Sequence, residues 1–131
     1  MRCLIVDDNR VVLEAARVLL EREGLTVVGV ARSGAEALEQ IQALRPDFVL
    51  VDVALGDESG FDVARRLVDD GRAGALAVIM TSTHAEVDLG NAVADSCAHG
   101  FLPKSEISAQ AIRRVLDSAP GLTSPTERRE K

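Results

Sequence analysis

Short unbroken apolar runs alternate along this chain with longer stretches in which apolar residues recur every three or four positions. The runs predict strands over Arg2–Asp7, Leu25–Ala31, Phe48–Asp52, Leu76–Ser82 and Gly100–Pro103. A strand covered by helices on both faces has no polar side to show, so it reads as apolar throughout. Helices fill the gaps. The first starts near Asn9, capped by Asp8 or Asn9, and runs through Val12, Ala16, Leu19 and Leu20 to Gly24. The second opens on Ser33-Gly34-Ala35-Glu36, a capping box in which serine and glutamate each satisfy an unpaired amide, and Pro46 closes it. The third follows Ser59-Gly60, with Ser59 as cap, and buries Phe61, Val63, Ala64, Leu67 and Val68. A fourth is predicted over roughly Ala85 to Ser96. A fifth, from about Ser108, carries Ala111, Ile112, Val115 and Leu116 until Ala119-Pro120-Gly121 breaks it. The alternation predicts an α/β fold, a doubly wound five-stranded parallel sheet with five helices. The expected domain is 1–118, and the polar stretch 119–131 is expected to be a flexible tail.

Composition narrows the function. The chain has 131 residues, enough for one domain, with 47% hydrophobic and 27% charged residues, the balance of an ordinary globular core. Lys and Arg number 15 against 21 Asp and Glu, a net charge of -6 that repels a phosphate backbone and argues against direct nucleic-acid binding. No apolar run approaches the ~20 residues a membrane-spanning helix needs. The first residues turn acidic at Asp7-Asp8, too early for the apolar centre of a secretion signal, so the expected location is the cytoplasm. Cys3 and Cys97 have no C-x-x-C partner, which points to neither a disulfide framework nor a zinc site.

The chemistry gathers at one edge. Ligands of such sheets bind beyond the carboxyl ends of the strands. There the first strand ends in Asp7-Asp8, the third in Asp52 and the fourth in Thr81-Ser82-Thr83, and Lys104 follows the fifth. Neighbouring strands lie about 4.8 Å apart, so adjacency would crowd three carboxylates within a lysine's reach. Such carboxylates repel one another unless a cation sits between them, and a small set of oxygen ligands suits Mg2+. Each residue taken singly has a plainer reading: Asp7-Asp8 as helix caps, Asp52 as a solvated strand end, Lys104 as a surface lysine, Phe101 as core. Gly56-Asp57-Glu58-Ser59-Gly60 misses the G-x-S-x-G nucleophile elbow by one place, and no phosphate-binding glycine loop occurs. His84 and His99 lack metal-ligand spacing.

Taken together and in order, Asp7-Asp8, Asp52 with Val53 to Gly60, the hydroxyl of Ser82, and Phe101-Leu102-Pro103-Lys104 make the chain resemble the CheY-like receiver domain of two-component response regulators, over about residues 2–118. The resemblance implies the flavodoxin-like strand order 2-1-3-4-5. It implies that Asp52 accepts a phosphoryl group from a phosphohistidine on a sensor histidine kinase or phosphotransfer protein, with Mg2+ held by Asp8, Asp52 and the backbone carbonyl of Ala54, and with Asp7 acting through water. Lys104 would neutralise the phosphoryl oxygens. Ser82 would bond the phosphoryl group and couple to Phe101, switching the surface of the fourth helix, fifth strand and fifth helix, which is also the candidate face for a homodimer. Thr81 competes for the switch role; the interval from 82 to 104 is the 22 residues usual in the family. Enzymatic activity would be limited to self-catalysed phosphorylation and dephosphorylation, with output through an effector protein or an effector domain beyond this chain.

Three positions depart from the family pattern: Gly56 where proline is commoner, expected to loosen the loop after Asp52; Ser105 after the lysine, where proline is frequent; and the small Ala54 two beyond the acceptor. Two rival readings use the same residues: a Mg2+-dependent phosphohydrolase with an aspartate nucleophile, and a pseudo-receiver that only binds partners.

Overall fold

The computed structural model describes residues 1–70, 76–82 and 100–118. Five parallel strands form one sheet: β1 (Arg2–Val6), β2 (Thr26–Ala31), β3 (Phe48–Asp52), β4 (Ala77–Ser82) and β5 (Gly100–Pro103), in the order β2-β1-β3-β4-β5. The described helices are α1 (Arg10–Arg22), α2 (Gly34–Leu44), α3 (Gly60–Asp70) and the helix Ala109–Ser118. The helix predicted over Ala85 to Ser96 lies outside the described residues, as do Thr83, His84, Cys97, His99 and the stretch 119–131.

Alternation along each strand divides the core in two. Phe48 and Leu50 of β3, with Ile5, Ile79 and Leu102, face α1 and the Ala109–Ser118 helix, where Leu13, Ala16, Leu20 and Ile112 meet them. Val49 and Val51, with Leu4, Val6, Val78 and Met80, face α2 and α3 through Ala37, Ile41, Val63 and Leu67. Every residue of β3 is buried, as the unbroken apolar run requires of a central strand. Each fully buried Leu, Ile or Phe contributes about 1.5–3 kcal/mol relative to exposure, so this double layer fixes the register on which the polar strand ends depend.

The helix ends follow local chemistry. Asn9, not Asp8, caps α1: its Oδ1 accepts from the amides of Val11 (2.9 Å) and Val12 (3.3 Å). Gly24, at φ +95°, ends α1 in a conformation that costs a side chain dearly. Ser33 Oγ accepts from Glu36 N (3.2 Å), half of the predicted capping box; the glutamate returns to the amide of Arg32 (2.8 Å), one residue before the cap. Ser59 Oγ accepts from Phe61 N and Ser108 Oγ from Ala111 N, capping the two later helices. On α1 the buried residues are Leu13, Ala16 and Leu20, while Val12 and Leu19 are half-buried. The run Val11-Val12-Leu13 leaves the first core position of the helix open in sequence, and contact with the sheet selects Leu13, while Ala16 and Leu20 are buried as expected.

Two features have no counterpart in the hydrophobic pattern. Between β3 and α3, Ala54–Leu55 pairs antiparallel with Glu58–Ser59 in a small hairpin. Glu23, at the end of α1, accepts from the amide of Ala109 (2.6 Å) and so anchors the start of the last described helix from 86 residues away.

Candidate functional site

The register brings the polar strand ends together. β3 lies between β1 and β4, and Asp52 pairs with Thr81 across the β3–β4 ladder, while Ser82 pairs with Pro103, the residue before Lys104. One further backbone bond, Asp7 N to Ala31 O (3.0 Å), carries Asp7 just past the end of β1 at the same edge. Asp7 and Asp52 continue the rows of Cys3-Ile5 and Phe48-Leu50, so both carboxylates emerge on the α1 side of the sheet.

There the two aspartates are buried, at 2% and 7% exposure, and Asp8 is more open. Asp7, Asp8 and Asp52 each offer a carboxylate oxygen, and these oxygens all lie within 4.8 Å of one another. Lys104 Nζ bridges two of the three: it pairs closely with Asp7 Oδ2 and sits 3.2 Å from Asp52 Oδ2. The remaining oxygens are steered by the backbone. Asp7 Oδ1 accepts from Asn9 N (2.9 Å), and Asp52 Oδ1 lies 3.4 Å from Ala54 N.

This arrangement leaves charge unbalanced. When ionised, three carboxylates face one ammonium, a net charge of −2 at a largely buried edge. Burial first, and the Asp7 carboxylate second, push the Asp52 carboxyl above the ordinary aspartate range, against the pull of Lys104 and the Ala54 amide. Burial works against the Lys104 ammonium too, but Asp7 and Asp52 outweigh it and hold the lysine above its ordinary value. A divalent cation would cancel the excess, and the donor set, three carboxylate oxygens, is that of a hard ion of the Mg2+ type.

Thr81 and Ser82 are both buried at the end of β4. Phe101 is half-buried and packs on the α2–α3 side of the sheet, against the cluster that holds Met80 and Val51. All the residues predicted for the site are therefore at one sheet edge, except that Phe101 lies one strand-pitch below it, on the opposite face from Asp52.

The loop after Asp52 is a hairpin: Gly56 and Asp57 are its two central residues, Gly56 takes φ +60°, and Asp57 does not have a positive φ. The hairpin is closed at its base by Gly60 N to Val53 O (2.8 Å). Gly60 is also sterically required, because a Cβ there would lie 1.9 Å from the Asp52 carbonyl oxygen. Glu58 reaches the other way, accepting from Gly34 N at the start of α2 (2.9 Å) and from Arg66 Nη2 (3.3 Å). The Gly-Asp dipeptide was the available turn signal for this hairpin; nothing local signals the partners of Glu58.

A doubly wound parallel sheet in this order, with a carboxylate cluster and a lysine at the carboxyl edge, defines a flavodoxin-like fold with an acidic site at its ligand-binding edge. Comparison with known proteins agrees. Residues 3–117 match the response regulator receiver domain. The chain is 36% identical over 120 residues to the transcriptional regulatory protein YvfU of Bacillus subtilis, covering 88% of this chain and 59% of that protein. It is 36% identical over 115 residues to the response regulator MprA of Mycobacterium ulcerans, covering 88% and 48%. Among solved structures, the signal receiver domain of a modulated diguanylate cyclase from Desulfovibrio desulfuricans superposes with a TM-score of 0.73 at 31% identity, covering 90% of this chain and 91% of that one. The chain belongs to the response regulator receiver domain family, the receiving module of two-component signalling. It spans about half the length of the curated relatives it matches. No helix among the described residues is long and apolar enough to cross a membrane.

Proposed function

We propose that Asp52 is the phosphoacceptor of this receiver domain and that Asp8, Asp52 and the carbonyl of Ala54 hold Mg2+ beside it, with Asp7 contributing through water. The observation that carries the reading is the convergence of three carboxylate oxygens within 4.8 Å, with one lysine bridging two of them. Bound Mg2+ would supply the positive charge that screens the incoming phosphoryl oxygens from this acidic edge.

The chain's own residues account for the rest. An Asp52 carboxylate oxygen attacks the phosphorus of a phosphohistidine; the new O–P bond forms as the P–N bond breaks, and the electron pair stays on the donor imidazole. Lys104, already 3.2 Å from Asp52 Oδ2, moves with its ammonium onto a phosphoryl oxygen and neutralises charge as it develops. Ser82 donates its hydroxyl to another phosphoryl oxygen, being the strand-end hydroxyl next in register to Pro103-Lys104. That displacement favours a packing in which Phe101, half-buried in the resting state, sinks further into the sheet face.

The donor is a sensor histidine kinase or phosphotransfer protein. The receiver domain is residues 1–118, residues 119–131 form a tail, and output passes to an effector protein or effector domain through the face built on β5 and its flanking helices, where a homodimer also fits. The module acts in the cytoplasm. The test is incubation with Mg2+ and a small acyl or amidyl phosphate, followed by intact mass. One phosphoryl group per chain, absent without Mg2+, is expected; sustained turnover of phosphate esters would indicate a phosphohydrolase instead, and correct folding with neither metal binding nor uptake would indicate a pseudo-receiver.

A further inference from the structure

We infer that Glu58 is a positioning residue for the acceptor: by tying the returning strand of the hairpin to α2 and α3, it holds the backbone amide of Ala54 against the Asp52 carboxylate. The inference rests on the reading of Asp52 as the phosphoacceptor and adds to it a residue outside the acidic cluster. One oxygen of Asp52 faces Lys104, and the other, Oδ1, lies 3.4 Å from the Ala54 amide nitrogen. These two contacts set the plane of the carboxylate. Ala54 itself is exposed, so the place of its amide depends on how the hairpin is held and not on burial of its side chain. Two strands of two residues each do not hold themselves. At the base the hairpin is fastened by Gly60 N to Val53 O (2.8 Å).

Glu58 supplies a hold on the outer strand, where it is the cross-strand partner of Leu55. Gly34 N donates to its Oε1 (2.9 Å) and Arg66 Nη2 to its Oε2 (3.3 Å). Gly34 opens α2, so its amide is one of the donors that a helix leaves without an internal partner, and a carboxylate there also meets the positive end of the helix. The junction is close-packed: a Cβ on Gly34 would overlap Arg66 Nη2 and stand 3.0 Å from Glu58 Oε2. The two bonds are unequal. Side chains of the Arg66–Glu58 pair are 51% and 37% exposed, so solvent screens that attraction, and the bond to the Gly34 amide is the one that fixes the strand. Without it the hairpin samples positions in which the Ala54 amide leaves Asp52, the carboxylate turns, and reaction slows by the fraction of molecules still aligned.

The experiment compares the natural chain, Glu58→Ala and Glu58→Gln. Three quantities are read: the initial rate of phosphoryl uptake from an amidyl phosphate in saturating Mg2+, the Ala54 amide proton by NMR in the metal-free protein, and melting by far-UV dichroism. Glu58→Ala is expected to slow uptake about fivefold, the equilibrium effect of one hydrogen bond. Its Ala54 amide should shift upfield and lose protection from hydrogen exchange. Glu58→Gln keeps an oxygen for the Gly34 amide and should restore both. An unmoved Ala54 amide in Glu58→Ala would overturn the positioning role, and a rate that fell there only in step with melting temperature would make Glu58 purely structural. Glu58→Gln as impaired as Glu58→Ala would overturn the bond to Gly34 as the hold. Absence of uptake by the natural chain, or uptake at another residue, would sink the acceptor assignment instead; the Ala54 amide still decides the tether, so the two readings fail separately.

Discussion

Neutralising Asp52 should stabilise the metal-free protein, although it removes an ion pair. The carboxylate oxygens of Asp7 and Asp8 come within 4.8 Å of that of Asp52. At an effective dielectric constant of about 20, the repulsion from buried Asp7 costs at least about 3.5 kcal/mol and that from the more open, solvent-screened Asp8 less, whereas the attraction of Lys104 at 3.2 Å returns about 5 kcal/mol. Asp52→Asn removes both repulsions, the one attraction and the penalty of burying a charge, and it keeps a hydrogen-bonding side chain of the same shape. The net relief is roughly 2 kcal/mol, or several degrees in melting temperature for a domain of this size. Mg2+ should reverse the order, because only the natural protein gains RT ln(1 + [Mg2+]/Kd). Urea unfolding followed by far-UV dichroism, with chelator and then with excess Mg2+, measures both. A natural protein more stable than Asp52→Asn in chelator would refute the claim that this edge carries surplus negative charge.

The same imbalance sets a pH dependence. The proton affinity of Asp52 is raised by folding, so its contribution favours the folded state at low pH and is lost as pH rises through its folded value, above the ordinary aspartate range of about pH 4. Stability of the metal-free protein should therefore carry a downward component with rising pH across that window which Asp52→Asn lacks; parallel profiles would contradict it. Lys104 is raised as well, and its contribution persists through neutrality and fades only above the ordinary lysine range. Gly60→Ala would press a methyl group into the Asp52 carbonyl, and unfolding should show a loss of about 2–4 kcal/mol with disturbed Mg2+ binding; a neutral variant would mean the loop has room that the 1.9 Å approach denies. Lys104→Ala should still take up some phosphoryl group from a small-molecule donor, but the spectral change that accompanies uptake, followed by amide chemical shifts along β5, should shrink; an unchanged response would remove Lys104 from the switch.

The sheet was legible because its signal is long and redundant. Five apolar runs predicted the strands to within one residue at each end, and the three that ran over by one, at Asp7, Leu25 and Leu76, did so where ladders fray. Asp7, Asp52 and Lys104 could be placed at one edge since a parallel sheet puts all its carboxyl ends together, whatever the sequence distance between them. Other features were decided by tertiary contacts with no local trace. Val11-Val12-Leu13 offers three apolar residues in a row, and only packing chooses Leu13. The hairpin strands Ala54–Leu55 and Glu58–Ser59 are too short to show a period. Ties such as Glu23 to Ala109 and Glu58 to Gly34 join residues whose separation carries no pattern. Between Thr81 and Ser82 burial does not discriminate, as both are enclosed, and register sets Thr81 beside Asp52 and Ser82 beside Pro103.

The acceptor's identity can be read chemically. After reaction with an amidyl phosphate and Mg2+, borohydride reduces an aspartyl phosphate to the corresponding alcohol and leaves free carboxylates untouched, and peptide mass spectrometry then finds the altered residue. The account predicts a single reduced position, residue 52, at a level matching phosphoryl uptake. Reduction at Asp7 or Asp8 instead, or a phosphoryl group that survives borohydride on a serine or threonine, would contradict it.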